Sequence, residues 1–387
     1  MLATMTILWT YRSRPSLICV FSLFDKANNN LIIVCVRLLR YAQMSRTGIV
    51  PEVAPLVKEA ETSVSVEVVD NDIYIGQKKL LYKPPLARGV YGGQVIAQAL
   101  MSAANTVPSH IPVHSFHCYF IQAGDPERDI VYTCKRLRDG RAFFTRLVTA
   151  SQKGIAIFVM MAQFHVQEPS RGLLYHDPMP KVLKPAELLD IYEYWNSIKC
   201  HPGLDRHLKE YIEKARSRPV SIDQRIVHRA FLRSDDRFRD ELVPHLWPLM
   251  VGNGKAHRLI WMKSHSRLDA VAPNVHKCVV AYMSDMSFIS TAMEPLHPPL
   301  AGNSKPKVSM TVSLDHSMWF HPSEKVDLRA DEWLLFEMTC HVAANSRAVL
   351  NAKVWNQAGD LVVSVSQEAL IRLADGTALI PSKLYLS

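Results

Sequence analysis

From residue 66 onward the chain alternates between two patterns. One is a run of apolar residues at every second position; the other is apolar on every face. Residues 66–75 (VEVVDNDIYI) follow the first pattern and predict a strand. Residues 95–104 follow the second. They are opened by the glycine-marked segment 86–94, with Gly89, Gly92 and Gly93, and predict a helix with almost no polar side. Such a helix must be buried all round. Strand-like stretches follow at 113–121, 130–138, 142–151 and 155–166, with turn signals at Arg138-Asp139-Gly140 and Gln152-Lys153-Gly154. One buried helix and a run of antiparallel strands give an α+β layout in which the sheet wraps the helix.

The second half repeats this order. A strand at 257–264 leads to an apolar helix at 275–293, interrupted at Ser284-Asp285. Strands are then expected at 311–321, 333–342, 348–355 and 361–373. Details recur as well. Arg141-Ala142 matches Arg347-Ala348, Gly154 matches Gly359, and Gln163 matches Gln367. Two such units in one chain imply a pseudo-symmetric pair whose sheets can join edge to edge.

Between the repeats, Pro169, Pro178, Pro180 and Pro185 mark a linker, with surface helices expected at 186–195 and 204–216. The boundaries drawn are 1–63 for an N-terminal extension, 64–168 for the first repeat, 169–217 for the linker, 218–374 for the second repeat and 375–387 for a tail. Residues 1–43 carry Arg12, Arg14, Lys26, Arg37 and Arg40 against the single acid Asp25. That composition is presequence-like or belongs to a poorly ordered extension. Its two apolar patches are too short to span a bilayer, so no stable membrane insertion is expected.

The chain has 387 residues, 48% of them hydrophobic, and a formal net charge of +9. This is enough for a globular, enzyme-sized protein with anionic partners. No run of consecutive Lys or Arg suggests a nucleic-acid arm. The seven cysteines include no C-x-x-C, and no N-x-[ST] sequon occurs, which favours a reducing compartment.

Chemistry is sparse by motif. There is no G-x-S-x-G, P-loop, G-x-G-x-x-G or H-E-x-x-H, and the histidines lack ligand spacing, so no metal site is expected. Polar residues in apolar settings remain. Asp285 interrupts a buried helix, where a carboxylate is expensive unless paired or used. Gln367 lies within an apolar strand. Ser313, Asp315 and His316 crowd into TVSLDHSMWFH, at 311–321. Strand alternation would put Ser313, Asp315 and Ser317 on one face and Leu314, His316 and Met318 on the other, which excludes a self-contained Ser-His-Asp triad.

RGVYGGQVIAQAL at 88–100, HSFHCYFIQAGDP at 114–126, AYMSDMSF at 281–288, SLDHSMWFH at 313–321 and Ser-Gln-Glu at 366–368 resemble the type II acyl-CoA thioesterases, in order, from about residue 64 to 373. The resemblance implies a double-hotdog fold, two helix-plus-sheet repeats side by side. It also implies hydrolysis of fatty acyl-CoA to free fatty acid and coenzyme A without a covalent intermediate or a cofactor. On this resemblance Asp285, Ser313 and Gln367 are the catalytic residues that hold and activate a water. The helix start at Gly92, Gly93 and Gln94 is the candidate donor to substrate. The expected partner is acyl-CoA, with double hotdogs assembling as a homo-oligomer.

Two alternatives stay open: a hotdog hydratase or dehydratase using His316 with Asp315, and a non-catalytic acyl-CoA-binding protein. Animal relatives imply a peroxisomal location through a terminal Ser-Lys-Leu. Here Ser382-Lys383-Leu384 is followed by Tyr385-Leu386-Ser387, which should mask the signal, so mitochondrial or cytosolic locations remain.

Overall fold

The computed structural model describes residues 19–25, 30–36, 60–85, 87–168, 173–194, 213, 221–227, 256–268, 272–293, 308–321 and 327–374. It divides into two units, Met1–Ala54 and Pro55–Ser387. In the first, β1 (Cys19–Asp25) pairs antiparallel with β2 (Asn30–Val36). The two apolar patches of the supposed extension therefore form a hairpin, consistent with their Val, Ile and Phe content.

The second unit begins its secondary structure at α1 (Ala60–Val64), slightly ahead of the boundary drawn at 64. Ala60 and Val64 are buried, and α1 packs on two longer helices, α2 (Gly92–Ala104) and α3 (Pro273–Ser284). The single strand expected at 66–75 is instead a tight hairpin of β3 (Glu67–Asp70) and β4 (Ile73–Gly76). Asp72 takes a left-handed conformation, φ 58°, at the turn, a role that Asn and Asp tolerate better than most residues. The next strands fall where the apolar alternation places them: β5 (Val113–Phe120), β6 (Ile130–Asp139), β7 (Phe143–Gln152) and β8 (Ile155–His165).

The second repeat contributes β9 (Ile222–Val227), β10 (His257–Ser264), β11 (Val308–Ser313), β12 (Asp315–Phe320), β13 (Leu334–Ala344), β14 (Arg347–Trp355) and β15 (Leu361–Leu373). All these strands join one antiparallel sheet in the order β3-β4-β6-β7-β8-β5-β12-β15-β14-β13-β10-β9, with β11 also on β15. The order is a palindrome in structure. Each strand of the first repeat has its counterpart at the mirrored place in the second, and the halves meet at β5 and β12. This is the double hotdog. At the seam Asp315 lies opposite Tyr119, Ser317 opposite His117 and Trp319 opposite Ser115, so a pseudo-two-fold passes through the His117–Ser317 pair.

Helix α2 lies against α3 and against β6, β7 and β8, and nearly all its side chains are buried, as an all-apolar helix requires. The linker does not form the surface helix expected at 186–195. Its described part runs as an extended segment with one 3-10 turn, Pro185–Glu187, and one helical turn at 191–194. Leu188 packs with Val227, Leu259, Trp261, Leu335 and Trp355, and Met179, Val182 and Leu183 lie against that cluster. Trp261 Nε1 donates to Leu183 O at 3.0 Å. Prolines and apolar residues favour an extended strap over an amphipathic helix here. The helix expected at 204–216 lies outside the described residues, apart from Glu213.

Candidate active site

Helix α3 ends where the sequence places its interruption. Asp285 is its C-terminal cap, and after Ser287, in a left-handed conformation with φ 60°, the chain resumes as the short helix α4 (Phe288–Thr291). The break lies against the start of α2. Tyr91 Oη donates to Tyr282 O at 2.7 Å, and the two rings meet edge to face at 4.9 Å. A Cβ on Gly93 would stand 2.5 Å from Tyr282 O, and one on Gly92 would stand 2.7 Å from Asp285 Oδ2 and 3.1 Å from Phe120. Only glycine permits this approach. It lets Gly93 N–H donate to Asp285 Oδ2 at 2.9 Å, so a carboxylate of the second repeat sits at the positive helix end of the first.

The other two residues arrive through an irregularity. Ser313 of β11 lies opposite Ala369, while Ser317 of β12 lies opposite Ser366. Four steps on one strand therefore face three on β15, which is a β-bulge centred on Leu314. The extra residue cancels the expected alternation. Ser313 and His316 do not point to opposite faces; both meet the amide of Gln367. Gln367 Nε2 donates to Ser313 Oγ at 3.0 Å, and Gln367 Oε1 lies 2.6 Å from His316 Nδ1. Ser313 Oγ donates to Asp285 Oδ1 at 3.3 Å, and Ser284 Oγ lies 3.0 Å from His316 Nε2. Asp315 serves the bulge itself: its Oδ1 accepts the Glu368 N–H at 2.6 Å.

Donor directions follow from this geometry. His316 is fully buried, stacked on Phe116 and edge-on to Phe288, and burial pushes its pKa down to about 4, so it is neutral. A neutral ring facing the amide oxygen must place its proton on Nδ1. Ser284 Oγ also donates to Ala281 O at 2.8 Å, so the hydrogen bonds with a settled direction run from His316 to Gln367, Ser313 and the Asp285 carboxylate. Burial pushes the Asp285 carboxyl up to about 7, while hydrogen bonds from Gly93, Ser313 and Gln367 oppose the rise without cancelling it.

Gln94 lies away from this cluster. Its side chain is fully buried and occupied, accepting Tyr82 N–H at 2.7 Å and donating to Ser63 O and Leu80 O. It stitches α2 to the preceding loop rather than facing a ligand. Gly93 N–H, also a candidate donor to substrate, is taken by Asp285. Gly92 N–H makes no hydrogen bond among the described residues. Strand alternation puts His316 on the face opposite Ser313, and the structure instead brings both to the Gln367 amide. The missing signal was the bulge, which no periodicity shows.

Among the described residues the first repeat has no equivalent cluster. The pseudo-two-fold that exchanges His117 and Ser317 places Val113 on Ser313, Phe116 on His316 and Ala162 on Gln367. Gln163, matched to Gln367 by sequence, falls one residue out of register and bonds His114 Nε2 at 3.0 Å. Among the described residues no group of three or more His, Cys, Asp or Glu is placed to hold a metal ion, and no helix is long and apolar enough to cross a membrane.

Two hotdogs with, among the described residues, one carboxylate–hydroxyl–amide cluster at their junction define a thioesterase of the double-hotdog class. The sequence matches the acyl-CoA thioesterase N-terminal domain over residues 82–165 and the acyl-CoA thioesterase C-terminal domain over 214–371. It is 34% identical to acyl-coenzyme A thioesterase 8 of Mus musculus over 81% of this chain and 88% of that protein. It is 30% identical to acyl-CoA thioesterase 2 of Haemophilus influenzae over 81% of this chain and 96% of that protein. The crystal structure of an acyl-CoA thioesterase II from Mycobacterium marinum superimposes with a TM-score of 0.58 and 30% identity, covering 82% of this chain and 99% of that one. The chain belongs to the type II acyl-CoA thioesterase family.

Proposed function

We propose that this protein hydrolyses fatty acyl-CoA through a water activated by Asp285. The observation that carries the reading is the convergence of Asp285, Ser313 and Gln367, from the end of α3, from β11 and from β15, on one hydrogen-bonded cluster. A thioester carbonyl is already electrophilic and needs a positioned water more than a strong nucleophile. Ser313 and Gln367 orient that water. Asp285, with its carboxyl near 7, takes the water's proton as the oxygen attacks the carbonyl carbon. Gly92 N–H at the start of α2 donates to the oxyanion that develops. As the tetrahedral intermediate collapses, the C–S bond breaks and the proton on Asp285 passes to the departing thiolate, leaving a carboxylic acid and a free thiol.

The hydratase alternative needs a histidine that reaches substrate. Both nitrogens of His316 are occupied inside the core, and Asp315 is committed to Glu368 N–H. The binding-protein alternative expects one of the three catalytic groups to be missing, and all are present.

The test is thiol release from acyl-CoAs of graded chain length by wild type, Asp285→Ala and Ser313→Ala. Release by wild type and its loss in both variants supports the mechanism. An Asp285→Ala protein with the wild-type rate would sink it. A peroxisomal site of action is supported by 32% identity to a Saccharomyces cerevisiae protein named peroxisomal acyl-coenzyme A thioester hydrolase 1, over 42% of each chain. Residues 382–387 lie outside the described residues, so import is tested by tagging the chain with and without its last three residues. Assembly of double hotdogs into a homo-oligomer is checked by light scattering.

A further inference from the structure

A cleft of about 780 Å³ is lined by Lys78, Lys79, Lys83 and Arg88 together with residues 123–127. Its charge is unbalanced. Of the acids nearby, Asp125 is held by Arg128 at 2.7 Å and Asp129 Oδ1 accepts the Lys78 N–H at 2.6 Å, leaving Glu127 against Lys78, Lys83 and Arg88. Among the described residues, Lys78, Lys83 and Arg88 have no ion-pair partner. Like charges gathered without counter-charges repel, so such a cluster is favourable when an anion occupies it.

Three chain segments tie this cleft to the catalytic residues. Residues 88–92 run from Arg88 in the cleft to Gly92 beside Asp285, a span of at most about 14 Å for four residues. Residues 120–124 run from Phe120, in contact with Gly92, to Gly124 in the cleft wall. The two are welded together where Val90 N–H donates to Gly124 O at 2.9 Å and where a Cβ on Gly89 would stand 2.5 Å from that oxygen. The third is β11: Arg88 Nη1 reaches Met310 Sδ at 3.7 Å, three residues before Ser313. The cleft is therefore tied to the site through these three segments.

The geometry points to this cleft as the seat of the phosphates of the leaving group, with Lys78, Lys79, Lys83 and Arg88 gripping the diphosphate and 3′-phosphate of coenzyme A. The inference rests on the acyl-CoA hydrolase reading for its choice of anion. Coenzyme A carries its phosphates at the far end of an extended pantetheine arm, and the chain span from Gly92 to Arg88, at most about 14 Å, lies within reach of such an arm. Arg supplies a bidentate fork, and the lysines supply point charges.

The experiment compares two esters of the same acyl group, one on coenzyme A and one on N-acetylcysteamine, which has the thiol end and no phosphate. Lys83→Glu and Arg88→Glu should each raise KM for the coenzyme A ester about tenfold or more, as expected for loss of a charge-assisted hydrogen bond. Their kcat should stay within about twofold of wild type, and kcat/KM for the phosphate-free ester should not change. Equal losses on both esters, or no loss on either, would overturn the assignment.

A second measurement is independent of catalysis and of the fold of any variant. Adenosine 3′,5′-bisphosphate should bind wild type in calorimetry and weaken steeply with salt. No binding would overturn the assignment as well. If wild type binds the bisphosphate, loses it on Lys83→Glu, and yet cleaves neither ester, the hydrolase reading has failed while the phosphate seat stands.

Discussion

His316 Nδ1 lies 2.6 Å from Gln367 Oε1. This contact decides which way the amide of Gln367 faces, because an oxygen toward the ring leaves the NH2 group toward Ser313 and the carboxylate. In the proposed mechanism His316 is thus a positioning residue that acts through Gln367. Replacing His316 with Leu leaves Gln367 Oε1 buried without that partner, which costs about 1–3 kcal/mol, while Ser284 keeps its bond to Ala281 O. His316→Leu is therefore expected to lose stability and to lower kcat about tenfold or more. His316→Asn keeps an N–H near the place of Nδ1 and should recover part of the kcat at unchanged KM. Steady-state kinetics with urea unfolding of both variants checks this; equal kcat in the two would reduce His316 to packing.

In the proposed mechanism Asp285 acts as the base and must be ionised to do so. With its carboxyl pushed up to about 7, the wild-type kcat/KM should climb with pH and level off above about 7. Asp285→Asn should lower kcat by at least about 10²-fold and remove that inflection. A pH–rate profile with an unshifted inflection near 4 would contradict the assigned environment.

The same two residues bear on stability with opposite signs. His316 is neutral when folded down to about 4 but takes up a proton when unfolded below its ordinary 6.5, so its contribution rises with pH from about 4 to 6.5. Asp285 keeps its proton when folded up to about 7 but loses it when unfolded above 3.8, so its contribution falls with pH over about 4 to 7. In wild type the two oppose each other. Asp285→Asn removes the falling part, and its unfolding free energy should rise more steeply between pH 4 and 6.5 than that of wild type, by up to about 1.4 kcal/mol per pH unit. Urea titrations at several pH values measure the difference in slope.

Gly92 and Gly93 should respond differently to the same methyl group. On Gly92 the methyl meets the Asp285 carboxylate and the edge of Phe120, which are side chains that can shift. Gly92→Ala should fold and lose most of its kcat. On Gly93 it meets the Tyr282 carbonyl and the Tyr91 ring at 2.5–2.6 Å, where backbone must move. Gly93→Ala should lower the melting temperature by several degrees, consistent with about 1–3 kcal/mol of overpacking. Thermal melts and kinetics on both proteins separate the cases.

Much of this fold could be read from residue order because alternation survives in regular strands. The edges of β5, β6, β7 and β8 fall within a residue or two of the apolar pattern. Asp285 was legible as a carboxylate interrupting an apolar helix, and its neighbours only by resemblance. Two features were beyond pattern. One was the bulge at Leu314, where a single extra residue turns Ser313 and His316 to the same neighbour while the composition stays that of a strand. The other was the use of Gln94 and Gly93: a buried helix start looks the same in sequence whether its polar groups meet a ligand or the chain itself. The false match of Gln163 with Gln367 has the same origin, since a one-residue slip in register preserves the motif and loses the position.

The Gly93–Asp285 hydrogen bond crosses from one hotdog to the other, and β5 pairs with β12 along the same junction. On the proposed mechanism, activity therefore needs both repeats. A chain severed in the linker would yield two inert fragments, and mixing them should restore turnover only in proportion to the heterodimer formed. In a lineage descended from a symmetric pair of identical subunits, fusion would have freed one copy of the site to decay. Val113, Phe116 and Ala162, standing where Ser313, His316 and Gln367 stand in the other half, are what that freedom would leave behind.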